Sequence, residues 1–196
     1  MSLTASEATL RAAERVAAVL SAQGITCAVI GGAALAFHGY IRQTLDLDLA
    51  TSVQPFVVFP KILEALKSEG FEVEFRGPDS EDPLGGVLDI RREDIGPIQI
   101  VNFLNPFVGG PGALGKEAVD TATPLEGTSL HVVDLPHLIA LKLYSGSLKS
   151  LSDIVELLNR HEELDLESIE ALARKFDVAD EWKIALAHRD SMAGKS

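Results

Sequence analysis

The sequence predicts an α+β protein in which a mixed β-sheet flanked by helices extends to about residue 133, and a helical part occupies residues 134–196. Short β-type runs, separated by turns rich in Gly, Pro and Asp, recur through the first two thirds of the chain. Helical periodicity appears between these runs, and after Asp134 it is the only regular pattern. The connections are short, so the two parts are expected to pack closely together.

The N-terminal half shows clear helix and strand signals. Residues 6–23 repeat apolar side chains at helical spacing, and Gly24 is placed to end that helix. The elements predicted after it are a buried strand at Ile25–Ile30, a short helix at Ala33–His38, a second strand at Leu45–Ala50, a helix whose firm part is Lys61–Glu69 because Pro60 would kink it, and a half-exposed strand at Phe71–Phe75.

The rest of the chain has fewer strands and more helices. The predicted elements are strands at Val87–Arg91, Ile98–Leu104 and Ser129–Val133, an irregular segment at Asn105–Gly115, a helix capped by Asp134 with Pro136 in its first turn, and helices at Leu151–Arg160, Leu166–Phe176 and Ala179–Arg189.

Composition restricts the classes of function. The 196 residues are 46% apolar and 23% charged, with no signal-peptide pattern and no apolar run long enough to span a membrane. Cys27 is the only cysteine and lies within an apolar strand pattern, which predicts a buried structural thiol and, with the other signs, a cytoplasmic protein. The formal net charge of −12 argues against nucleic acid as a partner, because gripping a phosphate backbone requires Lys and Arg.

Two carboxylates are spaced for a metal site. On a strand, residues i and i+2 project to the same face, so Asp46 and Asp48 share one face while Leu45, Leu47 and Leu49 point into the core. Like charges that close repel unless a cation lies between them, and Mg²⁺ prefers such oxygen ligands. The Gly31–Gly32 turn just upstream allows the backbone to approach a phosphate.

The string GGAALAFHGYIRQTLDLDL, with its glycine pair followed by Arg42, Thr44, Asp46 and Asp48, resembles the nucleotidyltransferase superfamily of the polymerase-β type. It is most similar to small bacterial members such as AbiEii-type toxins of toxin–antitoxin pairs and the aminoglycoside nucleotidyltransferases. The later stretch LIALKLYSGSLKSLSDIVELL is also similar to these proteins, so the resemblance covers roughly residues 25–160.

The resemblance implies Mg²⁺-dependent transfer of a nucleoside monophosphate from a nucleoside triphosphate to a hydroxyl of a small molecule or protein, with release of pyrophosphate. Two metal ions are expected at such a site. A possible cognate protein partner is also implied. The implied catalytic residues are Asp46, Asp48 and Asp89, of which Asp46 and Asp48 bind metal, and the implied nucleotide-binding residues are Gly31, Gly32, Arg42, Thr44 and Lys142.

The sequence departs from the family pattern at the third carboxylate. By resemblance, this group belongs on the strand PIQIVNF, where Gln99 and Asn102 are the polar candidates and neither carries a charge. Asp89, on the preceding strand, has the right chemistry. Ser150 also stands where an acidic residue is expected beside Lys149, although Asp153 is retained. The alternative function is therefore a catalytically degenerate nucleotide-binding or toxin–antitoxin-type module.

Overall fold

The computed structural model describes residues 7–44, 46–161 and 163–193. Its helices are α1 (Glu7–Ala22), α2 (Gly31–Phe37), α3 (Pro55–Ser68), α4 (Gly112–Asp120), α5 (Leu135–Ser145), α6 (Leu148–Arg160), α7 (Leu166–Lys175) and α8 (Ala179–Ala193). Its strands are β1 (Ala28–Ile30), β2 (Leu47–Thr51), β3 (Glu72–Arg76), β4 (Val87–Arg91), β5 (Ile98–Asn102), β6 (Thr123–Pro124) and β7 (His131–Val132).

Across the described residues, the strands form one mixed sheet in the order β3-β4-β5-β2-β1-β7-β6. The central strand β2 pairs antiparallel with β1 and parallel with β5, and β5 pairs antiparallel with β4. β7 extends the sheet by pairing in parallel with β1. The predicted α+β class with a mixed sheet and a helical C-terminal part is confirmed.

The core includes one face of β2 and the apolar side of α3. Leu47 and Leu49 of β2 are fully buried, as are Phe59, Ile62 and Leu66 on one side of α3. The opposite face of β2 therefore presents Asp48, as the alternation of the strand predicts. Leu45, the third predicted core leucine of this stretch, lies outside the described residues.

The predicted break at Pro60 is wrong, because α3 runs without interruption from Pro55 to Ser68. Pro60 has no N–H for the carbonyl of Phe56, so one intrahelical hydrogen bond is missing. Burial of Phe59, Ile62 and Leu66 outweighs that loss, since each buried side chain of this size contributes about 1.5–3 kcal/mol.

The segment Asn105–Gly115, predicted as irregular, contains the start of α4 at Gly112. Its glycines obscured the helix, yet one of them is required by packing: a Cβ on Gly115 would lie 2.3 Å from the ring of Phe103. The helix therefore depends on a tertiary contact that no local pattern shows. β6 at Thr123–Pro124 was not predicted either.

α7 and α8 begin at the predicted residues Leu166 and Ala179, whereas α6 begins at Leu148, three residues before the predicted Leu151, because Ser147 caps it. The Asp134 side chain accepts a hydrogen bond from the backbone N–H of His137 and caps α5, with Pro136 in the first turn. α5 packs against α6, α7 and α8 on one side and α4 on the other. None of the helices in the described ranges is long and apolar enough to cross a membrane.

Candidate functional site

The glycine pair joins β1 directly to α2 and brings two polar side chains close to the backbone. Gly31 has φ +64°, and a Cβ at this position would lie 2.2 Å from Oδ2 of Asp48. A Cβ on Gly32 would lie 2.7 Å from both Cβ and Oγ1 of Thr44. Each glycine therefore makes room for one residue of the predicted site.

Thr44 orients the first of the two paired carboxylates. Its hydroxyl donates a hydrogen bond to Oδ1 of Asp46 at 3.0 Å and also approaches the Asp46 carbonyl at 3.2 Å. A single hydroxyl proton cannot serve both oxygens fully, and the charged carboxylate is the stronger acceptor. Asp46 precedes β2, so this hydrogen bond stabilises a side chain that the sheet itself does not position.

Asp48, on β2, is the most perturbed acid of the site. Burial and the neighbouring Asp46 carboxylate raise the pKa of Asp48 to about 7, although Lys142, Arg42 and Lys149 act in the opposite direction. A carboxyl group whose pKa lies this close to neutral pH is in an environment that disfavours its charged form. Three cations within electrostatic range do not fully compensate, which leaves the pair of carboxylates short of positive charge.

Arg42 and Lys142 converge on one buried carboxylate. Arg42 donates to Asp153 through Nε at 2.9 Å and through Nη2 at 3.3 Å, and Lys142 donates to Asp153 Oδ2 at 2.6 Å. The Asp153 side chain is 2% exposed and that of Lys142 is 9% exposed. Two cations sharing one carboxylate retain a net charge of about +1 on the cluster, and both cations favour the charged form of Asp48.

Opposing electrostatic effects act on the pKa of Lys142 in this cluster. Burial lowers the pKa of Lys142, and Asp153 acts against that change, while Arg42 and Lys149 lower the pKa further. An anion bound nearby would favour the charged form of a lysine whose pKa is lowered in this way. The site therefore combines a deficit of positive charge around Asp48 with crowded cations on the helical side, where an anionic ligand would be favourable.

The strand register shows where Asp89, Gln99 and Asn102, the candidates for the third-carboxylate position, lie relative to Asp48. Asp48 on β2 pairs in register with Gln99 on β5, and Gln99 pairs with Asp89 on β4. Paired residues project to one face, so Gln99 is the direct neighbour of Asp48 and Asp89 is one strand further, with its Cα about 10 Å from that of Asp48. Asn102 lies at the far end of β5, fully buried.

Both oxygens of Asp89 are already engaged. Arg76 donates to them at 2.6 Å and 3.2 Å, and the Gln99 side-chain amide donates to Oδ1 at 2.6 Å. The Arg76 hydrogen bond, opposed by burial and aided by Gln99, holds the pKa of Asp89 below its usual value. Asp89 therefore remains charged at neutral pH, but its charge is balanced by Arg76 and not by groups at the glycine pair.

The oxygen donors around Asp48 suit a hard divalent cation whose remaining coordination positions are filled by a bound substrate. No group of three or more His, Cys, Asp or Glu within the described ranges is placed to hold a metal ion. Mg²⁺ nevertheless is usually bound by one or two carboxylates together with substrate phosphates, and Asp46 and Asp48 supply that number. The close fit of the Gly31 backbone against Asp48 Oδ2, where a Cβ has no room, is consistent with such a site.

The role of Gly31 is testable by comparison with another glycine of similar backbone conformation. We expect Gly31→Ala to destabilise the protein by more than Gly146→Ala, which has φ +60° but nothing within 4 Å of the added Cβ. The backbone strain of about 1 kcal/mol is common to both, and only Gly31→Ala adds a collision with Asp48. Urea unfolding of the two variants measures the difference, and equal losses would contradict the close contact.

Sequence reasoning identified most of these residues but not how they are connected. Asp153 was noted only as a retained acid, whereas it is the shared partner of Arg42 and Lys142. Arg76, which neutralises Asp89, was not singled out. Its position on β3, opposite Val87 in the strand register and beside Asp89 in space, follows from strand pairing and not from any local motif.

Comparison with known proteins adds to this geometry. No protein-family model and no curated protein sequence matches the chain. Solved structures do match. The antibiotic-resistance factor ANT(2'')-Ia is similar in its solution structure, with a TM-score of 0.53, 12% identity and coverage of 94% of this chain and 98% of that chain. The same factor in complex with adenylyl-2''-tobramycin gives a TM-score of 0.53 at 12% identity, covering 87% of this chain and 97% of that chain.

A fungal protein gives the same result. An antigenic nucleotidyltransferase-like protein from Paracoccidioides brasiliensis is 16% identical with a TM-score of 0.52, covering 94% of each chain. At these identities the likeness concerns the fold. Over the described residues, the chain shares with these proteins the arrangement of a mixed sheet flanked by helices.

Proposed function

We propose that this protein is a Mg²⁺-dependent nucleotidyltransferase that moves a nucleoside monophosphate from a nucleoside triphosphate to a hydroxyl of a small molecule or a protein. The observation that carries the proposal is the Asp48 carboxylate, which lies against Gly31 and within electrostatic range of Asp46 and of the cations Lys142, Arg42 and Lys149. Structural neighbours with this fold are nucleotidyltransferases, which supports the kind of reaction.

In this reaction the acceptor hydroxyl oxygen forms a bond to the α-phosphorus, and the bond from that phosphorus to the α,β-bridging oxygen breaks. Pyrophosphate leaves with the electron pair, and the hydroxyl proton is released to solvent. The protein's contribution is mainly position and charge. Arg42 and Lys142, fixed by Asp153, would counter the negative charge of the triphosphate. The backbone at Gly31 and Gly32 would approach the phosphates, and Thr44 would keep Asp46 oriented.

Asp46 and Asp48 would hold the metal. When bound, Mg²⁺ supplies positive charge to the two carboxylates and to the phosphate oxygens. The two carboxylates suit one ion completed by phosphates. A second ion, and a role for Asp89 in holding it, remain predictions.

The direct test is pyrophosphate release from each common nucleoside triphosphate in the presence of Mg²⁺. Acceptors offered in parallel are an aminoglycoside, a protein mixture and the protein itself, with an α-labelled nucleotide to identify the product. We expect release that requires Mg²⁺ and label on one acceptor class. We also expect the triphosphate with Mg²⁺ to raise the melting temperature, since a ligand that binds only the folded state stabilises it.

Asp46→Asn is the matched inactive variant for this test, because it removes one proposed ligand and retains the shape of the side chain. Activity that survives both this substitution and chelation of the metal would refute the metal-dependent reaction. If no triphosphate changes the melting temperature, nucleotide binding at this site is also refuted.

One observation favours a second function, a catalytically degenerate nucleotide-binding module of the toxin–antitoxin type in the cytoplasm. The direct neighbour of Asp48 in the sheet is Gln99, an uncharged amide, and Asp89 is bonded to Arg76. Under this alternative, the triphosphate binds and stabilises the protein but pyrophosphate release is absent. The Gln99→Asp variant distinguishes the two functions, because it places a third carboxylate beside Asp48. A gain of turnover over an inactive wild type would indicate a degenerate site. Turnover that is already present in the wild type and is unchanged or reduced in the variant would indicate a complete one.

A further inference from the structure

Three large apolar side chains lie exposed beyond the C-terminal ends of β2 and β5, away from Asp48. At the start of α3, Phe56 and Val57 are 52% and 59% exposed, and Phe107, in the loop after β5, is 58% exposed. The rings of Phe56 and Phe107 meet edge to face with centroids 5.8 Å apart. We refer to Phe56, Val57 and Phe107 as the aromatic surface.

A buried asparagine ties together the loops that carry this surface. Asn102, at the end of β5, has no exposed area. Its side-chain oxygen accepts a hydrogen bond from the Val53 N–H at 2.9 Å, and its amide group donates to the Gly85 carbonyl at 2.9 Å. The segment leading into α3 and the loop before β4 are therefore both held to the end of β5.

A second asparagine fixes the loop of Phe107. Asn105 is 7% exposed and accepts a hydrogen bond from the Phe107 N–H at 2.8 Å. Its amide group donates to the carbonyls of Asp79 at 2.8 Å and Asp82 at 2.7 Å. Buried side-chain amides satisfied in this way restrict the backbone around them, so the aromatic surface is pre-organised.

Exposed aromatic side chains on a fixed backbone are favourable anchors for a protein partner. Aromatic residues are enriched among the residues that dominate binding energy, and pre-organisation lowers the entropy lost on binding. A scattered single apolar residue has no such meaning, but here two aromatic rings are in contact, and exposed Val57 follows Phe56 on the same helix.

The charges around the aromatic surface restrict what it can bind. The three segments that build it, residues 52–60, 77–86 and 103–111, contain three acidic residues and no Lys, Arg or His. Two basic residues adjoin them: exposed Lys61, which follows the first segment on α3, and Arg76, which precedes the second and is paired with Asp89. The acidic residues are Asp79, Glu81 and Asp82, all exposed in the loop that Asn105 holds beside Phe107. The surface is therefore apolar at its centre and acidic on one side.

This charge pattern argues against three other occupants. A second copy would bring one acidic loop against another between chains that each carry −12, which is repulsive. Nucleic acid and anionic membranes would be repelled by the same loop. A protein segment with apolar side chains flanked by Lys or Arg satisfies both parts of the surface.

We propose that the aromatic surface is a docking site for a protein partner that presents apolar side chains flanked by basic residues. The surface lies at the opposite end of β2 from the carboxylate pair, so this inference does not depend on the proposed nucleotidyl transfer. Binding there is expected without nucleotide or metal.

The test is selection of a displayed library of random short peptides on the full-length protein without nucleotide or Mg²⁺. We expect the enriched peptides to combine Leu or aromatic residues with Lys or Arg. Synthetic copies should bind the Phe56→Ser/Phe107→Ser double variant at least about tenfold more weakly, because two anchor side chains are lost. Binding to Ile184→Ser should be unchanged, since Ile184 is equally exposed, at 58%, on the distant α8.

A second variant allows the docking site to be tested even if the double variant unfolds. Glu81→Lys reverses one rim charge and leaves the backbone hydrogen bonds made by Asp79 and Asp82 in place. It should weaken binding severalfold and reduce its dependence on salt. The proposal is overturned if no peptide is enriched, if enriched peptides lack basic residues, or if they bind both variants as well as the wild type. Self-association in sedimentation that Phe56→Ser/Phe107→Ser abolishes would also overturn it, in favour of a second copy.

Discussion

The Asp48→Asn variant is expected to lose nucleotidyl transfer completely and yet to be more stable than the wild type at alkaline pH. The activity is lost because the amide cannot serve as an anionic metal ligand. The stability rises because burial and Asp46 raise the pKa of Asp48 from 3.8 to about 7, so the folded protein carries an unfavourable charge above that pH. At about 1.4 kcal/mol per pKa unit, a shift of about three units corresponds to about 4 kcal/mol. Because the amide that replaces the carboxylate must also be buried, we expect roughly half of this, a gain of about 2 kcal/mol.

The pH dependence gives the sign of this effect. Between about pH 4 and 7 the folded state keeps a proton on Asp48 that the unfolded state releases, so the contribution of Asp48 to the free energy of unfolding falls as pH rises. Above pH 7 the full cost remains, and below pH 4 both states are protonated and the cost disappears. Urea unfolding of wild type and variant across this range measures the difference, which should grow with pH.

Asp180→Asn is the appropriate control, because Asp180 is an exposed acid on α8 and its replacement should change stability by less than about 0.5 kcal/mol. Parallel pH profiles for wild type and Asp48→Asn would show that Asp48 is not the perturbed group. Mg²⁺ should stabilise the wild type and leave Asp48→Asn unaffected, since metal binding favours the charged carboxylate.

Local sequence patterns predict the relative positions of those candidate residues that are continuous in the chain. The glycine pair, Thr44, Asp46 and Asp48 fall within one stretch, and alternation along a strand correctly gave Asp48 and the buried leucines opposite faces. The positive φ of Gly31 follows the same logic, because glycine alone adopts it without strain.

The parts that depend on strand register or helix packing were not accessible in this way. Placing Asp89 one strand beyond Gln99 requires the pairing of β5 with β4, and the arginine that neutralises Asp89 comes from β3. The bonds from Arg42 and Lys142 to Asp153 join positions up to 111 residues apart. No periodicity reports such contacts, because they arise only when α5 and α6 bring Lys142 and Asp153 to the segment that carries Arg42.

The largest loss of stability is expected for Asp153→Ala. Asp153 is 1% exposed and is the shared partner of Arg42 and Lys142, whose side chains are 19% and 9% exposed. Removing the carboxylate leaves two cations close together in a site of low polarity, and breaking a buried ion pair from one side typically costs about 3–5 kcal/mol. For a chain of this size, the melting temperature should fall by roughly 10 °C.

Two comparisons separate this effect from a simple loss of helix or charge. Glu170→Ala removes a carboxylate that pairs with Arg174 on exposed α7, and it should cost less than about 1 kcal/mol. Adding Lys142→Met to Asp153→Ala should recover part of the lost stability, because one of the two unpaired cations is then absent. If the double variant loses as much stability as the sum of the two single variants, Lys142 does not depend on Asp153. Asp153 could then not be assigned the role of holding the cations that face the triphosphate.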